Sequence, residues 1–354
     1  MTNPEPEPKS LEERLAVARS LRTEALDNYR ELVEEARLLP PEDTTRVALF
    51  SAAVRELFVD ELTHPDLIEI ARHQRKPVLQ VDSLWSSIVK RRRMKQLGPV
   101  PEKNLGISKY NDEKFAELVG VKTTKAVFRG TFADIPRDAR MVVVKPIGSS
   151  DSKGAFYVLD GGQLVSIADS DELEDWTELE VRAIKQLGGE NLDGVEWQVQ
   201  KMETFAGKPA RDFKFYIFYG QIGLILEASR FPEREYAYFN EDFTSAACGR
   251  DQEPRFRDTS RTFTNNGGIS EQQLEMVRNF SASIPVPFMR IDFLYTDDGL
   301  VLCEFSSAPG DSHTWSPEYD RMMGTMYLDA ERRLISDLLA GKTFPAFSVF
   351  NPHK

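Results

Sequence analysis

The sequence predicts an α+β protein in which a mainly helical N-terminal region precedes a larger part of mixed strands and helices. Three observations carry that reading. Before about residue 100, apolar residues recur at helical spacing behind helix-start signals. After GPVPEKNLG, from Gly98 to Gly106, short strand-like runs dominate. Those runs pair across turn signals and are broken by only a few helical stretches, the pattern expected of an α+β or mixed α/β domain.

Taken in order, residues 1–9 are rich in Pro and Glu and read as a disordered tail. SLEE, from Ser10 to Glu13, is a capping box, in which the Ser10 hydroxyl caps the helix and Glu13 reaches back. Leu11, Leu15, Ala18, Leu21, Ala25, Tyr29, Leu32 and Ala36 follow at helical spacing, and Pro40-Pro41 stops the run. A second helix is expected from about Thr45 to Leu62 and a third from Pro65, a favoured first helical position. One short strand is expected at Val78 to Val81. Beyond the boundary near residue 100, KAVFRG, MVVVKP, GAFYVLD, EWQVQKME, DFKFYIFYG and QIGLILEAS read as strands. Helices are expected at about 110–119, 172–187, 270–282 and 318–340.

Bulk properties exclude several function classes. The 354 residues allow one large or two to three ordinary domains and a substantial core. No apolar run reaches the roughly 18 residues a membrane span needs. The opening MTNPEPEPKS has neither a basic nor an apolar signal segment. With only two cysteines, Cys248 and Cys303, the chain suits a reducing compartment, and a cytoplasmic protein is expected. A net charge of −12 repels nucleic acid, so the basic run VKRRRMK, Val89 to Lys95, reads as a solvated helix face.

Chemistry concentrates in Met289 to Gly310, MRIDFLYTDDGLVLCEFSSAPG. TDDG marks a hairpin turn, and a three-residue loop Asp297-Asp298-Gly299 is expected. Thr296 then pairs with Leu300, Asp292 with Glu304, and Arg290 with Ser306. Ile291, Phe293 and Tyr295 meet Phe305, Cys303 and Val301 on the other face, which makes Cys303 a core residue. Opposed like charges are unfavourable unless offset. Either Arg290 bridges both acids on a solvated face, or a hard cation such as Mg²⁺ sits with them and substrate phosphates. Leu294 and Leu302 share the acidic face in this register, which argues for a covered site. The segment SSAPGDSHTW that follows is small and polar, as a ligand loop would be. Upstream, a strand ends at Lys145 and leads into Gly148, Ser149, Ser150, Asp151, Ser152, Lys153 and Gly154. Such a loop is either a plain hairpin turn or a phosphate cradle with Lys145 as a point charge.

These pieces, in this order, resemble the ATP-grasp superfamily over about residues 106–340. Lys109 precedes a helix in SKYNDEKFAELVGVKT; VVVKPIGSSDSKG carries Lys145; WQVQKMET matches the adenine hinge; and RIDF…LCEFSSAPG matches the R-x-D…E-x-N pattern, with Pro-Gly following, of D-alanine–D-alanine ligases. RDFKFYIFYGQIGLILEASRF and the E-x-[ST] ending are most similar to the TupA-like ATP-grasp proteins of cell-surface polysaccharide biosynthesis. The third metal position is Ser306 rather than Asn, and Ser108 stands before the first lysine in place of Asp.

The resemblance implies two subdomains clasping ATP, at 106–203 with the phosphate loop and 204–340 with the metal site, after a helical region 10–100 and before a tail 341–354. It implies ATP and Mg²⁺, with Mn²⁺ as the substitute ion. Lys109, Lys145, Gly148, Ser149 and Ser150 would meet phosphates. Gln200, Lys201 and Met202 would hold adenine, and Glu203 ribose. Asp292, Glu304 and Ser306 would bind metal. Lys214 would contact the γ-phosphate and Arg290 the developing oxyanion. Arg230, Gly310, Ser312 and His313 would face the substrate. The implied activity is joining a carboxylate, such as a sugar acid, amino acid or small peptide, to an amine through an acyl phosphate. The alternatives are a kinase acting on a small molecule and a non-catalytic nucleotide-binding protein. Relatives are often dimers, which admits a homodimer.

Overall fold

A computed structural model of the chain describes residues 10–40, 42–57, 82–98, 105, 109–149, 152–189, 191–232, 235–248, 269–307, 309 and 315–350. The chain divides into two compact units, Met1–Val81 and Asp82–Lys354. The expected helix from Pro65 and strand at Val78 lie outside the described residues.

In the first unit, α1 (Leu11–Leu38) starts as the capping box requires. The Glu13 amide donates to the Ser10 hydroxyl at 3.1 Å, and the Ser10 amide donates to the Glu13 carboxylate at 2.8 Å. The second helix, α2 (Thr44–Arg55), is shorter than expected. Val33 and Ala36 of α1 pack on Phe50 and Ala53 of α2, with Tyr29 at the margin.

The second unit holds two main antiparallel sheets. The first contains β1 (Ala126–Gly130), β2 (Val142–Pro146), β3 (Phe156–Val158), β4 (Leu164–Ser166), β5 (Glu172–Leu173) and β6 (Trp197–Lys201), in the order β1-β6-β2-β3-β4-β5. Alternation sends Val142, Val144, Trp197 and Val199 to one face, where they pack with Leu179 and Ala183 of the helix Trp176–Leu187. That helix starts three residues after β5 ends, later than the expected 172, because Asp175 caps it by accepting from the Thr177 and Glu178 amides. A two-stranded hairpin, β7 (Thr204–Phe205) and β8 (Lys208–Pro209), links the sheets in sequence.

The second sheet contains β9 (Arg211–Phe218), β10 (Gln221–Ser229), β11 (Glu235–Phe239), β12 (Met289–Thr296) and β13 (Gly299–Ser306), in the order β11-β10-β9-β12-β13. On one face Phe213, Phe215, Ile217, Ile291 and Phe293 form the largest core, with Leu274, Val277 and Phe280 of the helix Glu271–Ala282 and Phe115 of the helix Lys109–Leu118. On the other face Tyr216, Phe218 and Leu226 pack with Met323, Tyr327 and Ala330 of the helix Pro317–Leu339 and with Leu84 and Ile88 of the helix Leu84–Met94. The basic run lies on that last helix, and its Lys90 pairs with Glu331 at 2.9 Å.

The β12–β13 hairpin corrects the expected register in one detail. Arg290 faces Ser306, Ile291 faces Phe305 and Asp292 faces Glu304, but Phe293 faces Leu302 and Thr296 faces Gly299. The loop therefore has two residues, Asp297 and Asp298, and Cys303 is the extra residue of a bulge. The tight turn is fixed from outside, because the Asp297 carboxylate accepts from the Ala206 amide at 2.9 Å and the Asp297 amide donates to the Thr204 carbonyl at 3.2 Å. The bulge also turns Leu302, not Cys303, into the core, and leaves Cys303 half-buried.

Candidate active site

The alternating sequence R-D-F-K-F-Y of β9 buries its phenylalanines in the larger core and sends Asp212 and Lys214 to the opposite face, in line with Tyr216. R-I-D-F of β12 does the same for Arg290 and Asp292. Lys214 stands directly opposite Asp292, and Asp292 opposite Glu304. A row of alternating charge runs across the sheet. Arg230 Nη2 lies 3.4 Å from Asp212 Oδ2, and Lys214 Nζ lies 2.8 Å from the same oxygen. Lys214 also donates to Asp292. Arg290 donates to Asp292 through Nε at 2.8 Å and Nη2 at 2.9 Å, and its Nη2 is 3.6 Å from Glu304.

Arg290 thus bridges both acids, as one of the two sequence readings held. The face is not a solvated one at its centre, since the Asp292 side chain is 1% exposed against 37% for Glu304. Burial opposes the charge of Lys214, but Asp212 and Asp292 outweigh it and hold the amine protonated well above its usual range. Arg290 is likewise opposed by burial and raised by Asp292. Burial works against the Asp212 carboxylate, yet Lys214 and Arg230 bring it below the ordinary carboxylate range.

The first sheet approaches this row at Tyr157. Burial raises its phenol, Arg230 opposes that, and Asp212 and Cys303 add to it, so these groups lie within electrostatic reach of one another. Phe231 packs edge-on against Tyr157 at 6.4 Å between ring centres. Tyr157 belongs to a cluster with Ala155, Val165, Ile167 and Met202 on the face away from the helix Trp176–Leu187. Lys145, Gln198 and Gln200 alternate to that same face.

Among the sequence candidates, Lys214, Arg230, Arg290, Asp292 and Glu304 are brought into one row, and Ser306 lies beside it, opposite Arg290. Lys145, Gln200 and Met202 share one face of the first sheet. The Gln200 amide donates to Thr124 at 3.4 Å, and the Met202 backbone N–H donates to the Met141 carbonyl at 2.8 Å. Lys201 alternates to the other face and is exposed. Glu203 is half-buried, and its pKa is raised by burial, with Lys201 opposing. Gly148 takes φ +89°, the left-handed backbone that suits glycine at the loop, and Ser149 follows it. Lys109 opens its helix. Its side chain, and all of Ser150, Gly310, Ser312 and His313, lie outside the described residues. Asp212, Gln198 and Tyr157 were not among the candidates. The period-2 rule applied from Lys214 and Gln200 would have placed the first two on the site face.

The fit of a divalent ion can be judged from the donors. Asp292 and Glu304 both lie within reach of one guanidinium, and Ser306 follows Glu304 by two positions on the same face. Among the described residues no group of three His, Cys, Asp or Glu side chains is placed to hold a metal. Two carboxylates and a hydroxyl on one face would suit Mg²⁺ completed by phosphate oxygens, and would not form an all-protein cage.

A family model described as TupA-like ATPgrasp matches residues 123–328. The chain belongs to this TupA-like ATP-grasp family. No curated protein matches the sequence. Among solved structures, it is similar to D-alanine–D-alanine ligase from Helicobacter pylori at 13% identity and a TM-score of 0.35, covering 63% of this chain and 58% of that one. The D-alanine–D-alanine ligase from Bacillus anthracis complexed with ATP matches at 14% and 0.36, covering 66% and 67%. The ATP-grasp ligase PsnB complexed with minimal precursor, Mg and ADP matches at 12% and 0.36, covering 66% and 61%. The chain thus spans under two thirds of the Helicobacter pylori enzyme's length. No described helix is long and apolar enough to cross a membrane.

Proposed function

We propose that this TupA-like ATP-grasp protein is an ATP- and Mg²⁺-dependent ligase that joins a carboxylate to an amine through an acyl phosphate. The observation that carries the reading is the row Arg230–Asp212–Lys214–Asp292–Arg290–Glu304, which ends in two opposed acids. Phosphoryl transfer needs little covalent help from the protein and depends on positioning and charge neutralisation. Lys214 and Arg290 supply two buried cations, and the neighbouring carboxylates favour their charged forms against the cost of burial.

In the first step a carboxylate oxygen of the substrate attacks the γ-phosphorus, the bond to the β-phosphate oxygen breaks, and ADP leaves. Lys214 would meet the transferring phosphate from its place beside Asp292. In the second step the amine attacks the acyl carbon, inorganic phosphate leaves with the C–O bonding electrons, and the amine gives up a proton. Arg290 would stabilise the oxyanion formed between these events. Asp292, Glu304 and Ser306 would hold Mg²⁺, which would supply charge neutralisation to the phosphates. Lys109, Lys145 and the loop at Gly148 and Ser149 would hold the phosphate chain, and Gln200, Met202 and Glu203 the nucleoside. Arg230, kept cationic by Asp212, would draw in an acidic substrate such as a sugar acid, amino acid or small peptide.

The test is ADP release on a panel of acids and amines with Mg²⁺. Release that needs both an acid and an amine, with an amide product, supports the ligase. An amine-independent phosphoester would replace it with a kinase, and tight Mg–ATP binding without turnover would replace it with a binding protein.

A further inference from the structure

Gln198 lies in the middle of β6, between two neighbouring strands, directly opposite Lys145 of β2 on one side and Arg129 of β1 on the other. Directly paired residues share a face, so the three side chains form a row across the first sheet. Trp197 and Val199 take the opposite face, into the core. Gln198 is 1% exposed, and its side-chain Nε2 is buried without a hydrogen-bond partner among the described residues. Gln200, two positions on, has Thr124 to bond, whereas no described residue accepts from Gln198 Nε2. A buried amide left unpaired is costly, and native proteins rarely keep one unless a ligand or water completes it. Its neighbours indicate what kind of ligand. Lys145 is a cation, and Arg129, although 3.8 Å from Glu113, is a second. An N–H donor flanked by two cations suits an anionic oxygen.

We propose that Gln198 is a nucleotide-binding residue whose side-chain amide donates to a phosphate oxygen in the row Arg129–Gln198–Lys145. This rests on the reading of the protein as an ATP user. Gln198→Leu removes the orphaned donor and keeps the volume close. Calorimetric titration of the full-length protein with Mg–ATP then separates the cases, with melting temperature read on the ligand-free protein. Loss of one hydrogen bond to a charged group predicts about tenfold weaker binding. The ligand-free melting temperature is expected to hold or rise, which a merely structural glutamine would not show. Gln198→Glu, which sets a carboxylate against the phosphate, should bind more weakly still, and Gln198→Asn, too short to reach, should also bind about tenfold more weakly and replaces the leucine variant if that one does not fold. Wild-type affinity in the leucine or asparagine variant would overturn the proposal, as would unchanged or tighter binding in the glutamate variant. If the wild-type protein itself does not bind Mg–ATP, the functional reading fails and this inference fails with it.

Discussion

The two acids of the β12–β13 hairpin should behave alike in activity and differently in stability. Asp292 is buried and accepts both Arg290 nitrogens, at 2.8 and 2.9 Å, as well as Lys214. In Asp292→Asn one oxygen becomes an N–H₂ that must face a cation. Removing one partner of a buried ion pair costs about 3–5 kcal/mol, and because asparagine keeps one acceptor the expected loss is about 2–4 kcal/mol. Glu304 is 37% exposed and its nearest Arg290 nitrogen is 3.6 Å away, so Glu304→Gln should cost about 0–1 kcal/mol. With a urea m-value of about 3 kcal/mol per M, the midpoint of the second unit should fall by about 1 M for the first variant and by about 0.3 M or less for the second. Both variants should lose Mg²⁺-dependent ADP release if these carboxylates hold the metal. Equal loss of stability would refute the burial argument, and wild-type ADP release in either variant would refute the site.

Three further predictions follow from the same geometry. The Asp212 pKa is lowered in the folded state, so its contribution to stability is present above its unfolded value of about 4 and is lost as pH falls through the folded value. Asp212→Asn should therefore flatten the acid limb of stability below about pH 4, as read from urea midpoints over a pH series. If Ser306 lends its hydroxyl to the metal, Ser306→Ala should raise the Mg²⁺ concentration for half-maximal ADP release several-fold, while Ser306→Asn should lower it; equal Mg²⁺ curves for all three would exclude a ligand role. Gly223 sits where β10 loses register, and a Cβ there would stand 2.6 Å from the Phe218 ring and 3.0 Å from the Met326 sulfur. Gly223→Ala should cost about 1–3 kcal/mol by overpacking, and an unshifted urea midpoint would contradict that contact.

Much of this was legible in the sequence, for reasons that can be separated. The capping box at Ser10 and the end of α1 before Pro40 depend on neighbours a few residues apart, so local pattern was enough. The pairing of Asp292 with Glu304 was legible because a slip of one residue would bury charges. The loop was not, because a three-residue turn and a two-residue turn with a bulge bring the same two acids together. The two-residue turn is accompanied by a bond from the Ala206 amide, on a separate hairpin, to Asp297. The strands β4, β5 and β11, of three, two and five residues, were not among the expected strands. Asp212 and Gln198 carried a signal, the alternation with Phe213 and Trp197, but nothing in the sequence states that one of them ends beside Arg230 or that the other ends without a bond.

The charged row also explains why two similar carboxylates are held so differently. It contains three cations, Arg230, Lys214 and Arg290, and three anions, Asp212, Asp292 and Glu304, so it is neutral as it stands. Both oxygens of Asp292 already accept from cations. One of them becomes available to a divalent ion only when Lys214 or Arg290 turns to another anion. A polyphosphate brings such anions, and an isolated ion does not. Asp212 would not be stranded as a buried unpaired charge in such an exchange, because Arg230 also lies 3.4 Å from it. Glu304, half-exposed and loosely paired, needs no such exchange. If Asp292 holds the metal as proposed, completion of that site would depend on arrival of the nucleotide, through Lys214, the one side chain among the described residues that ion-pairs with both buried acids.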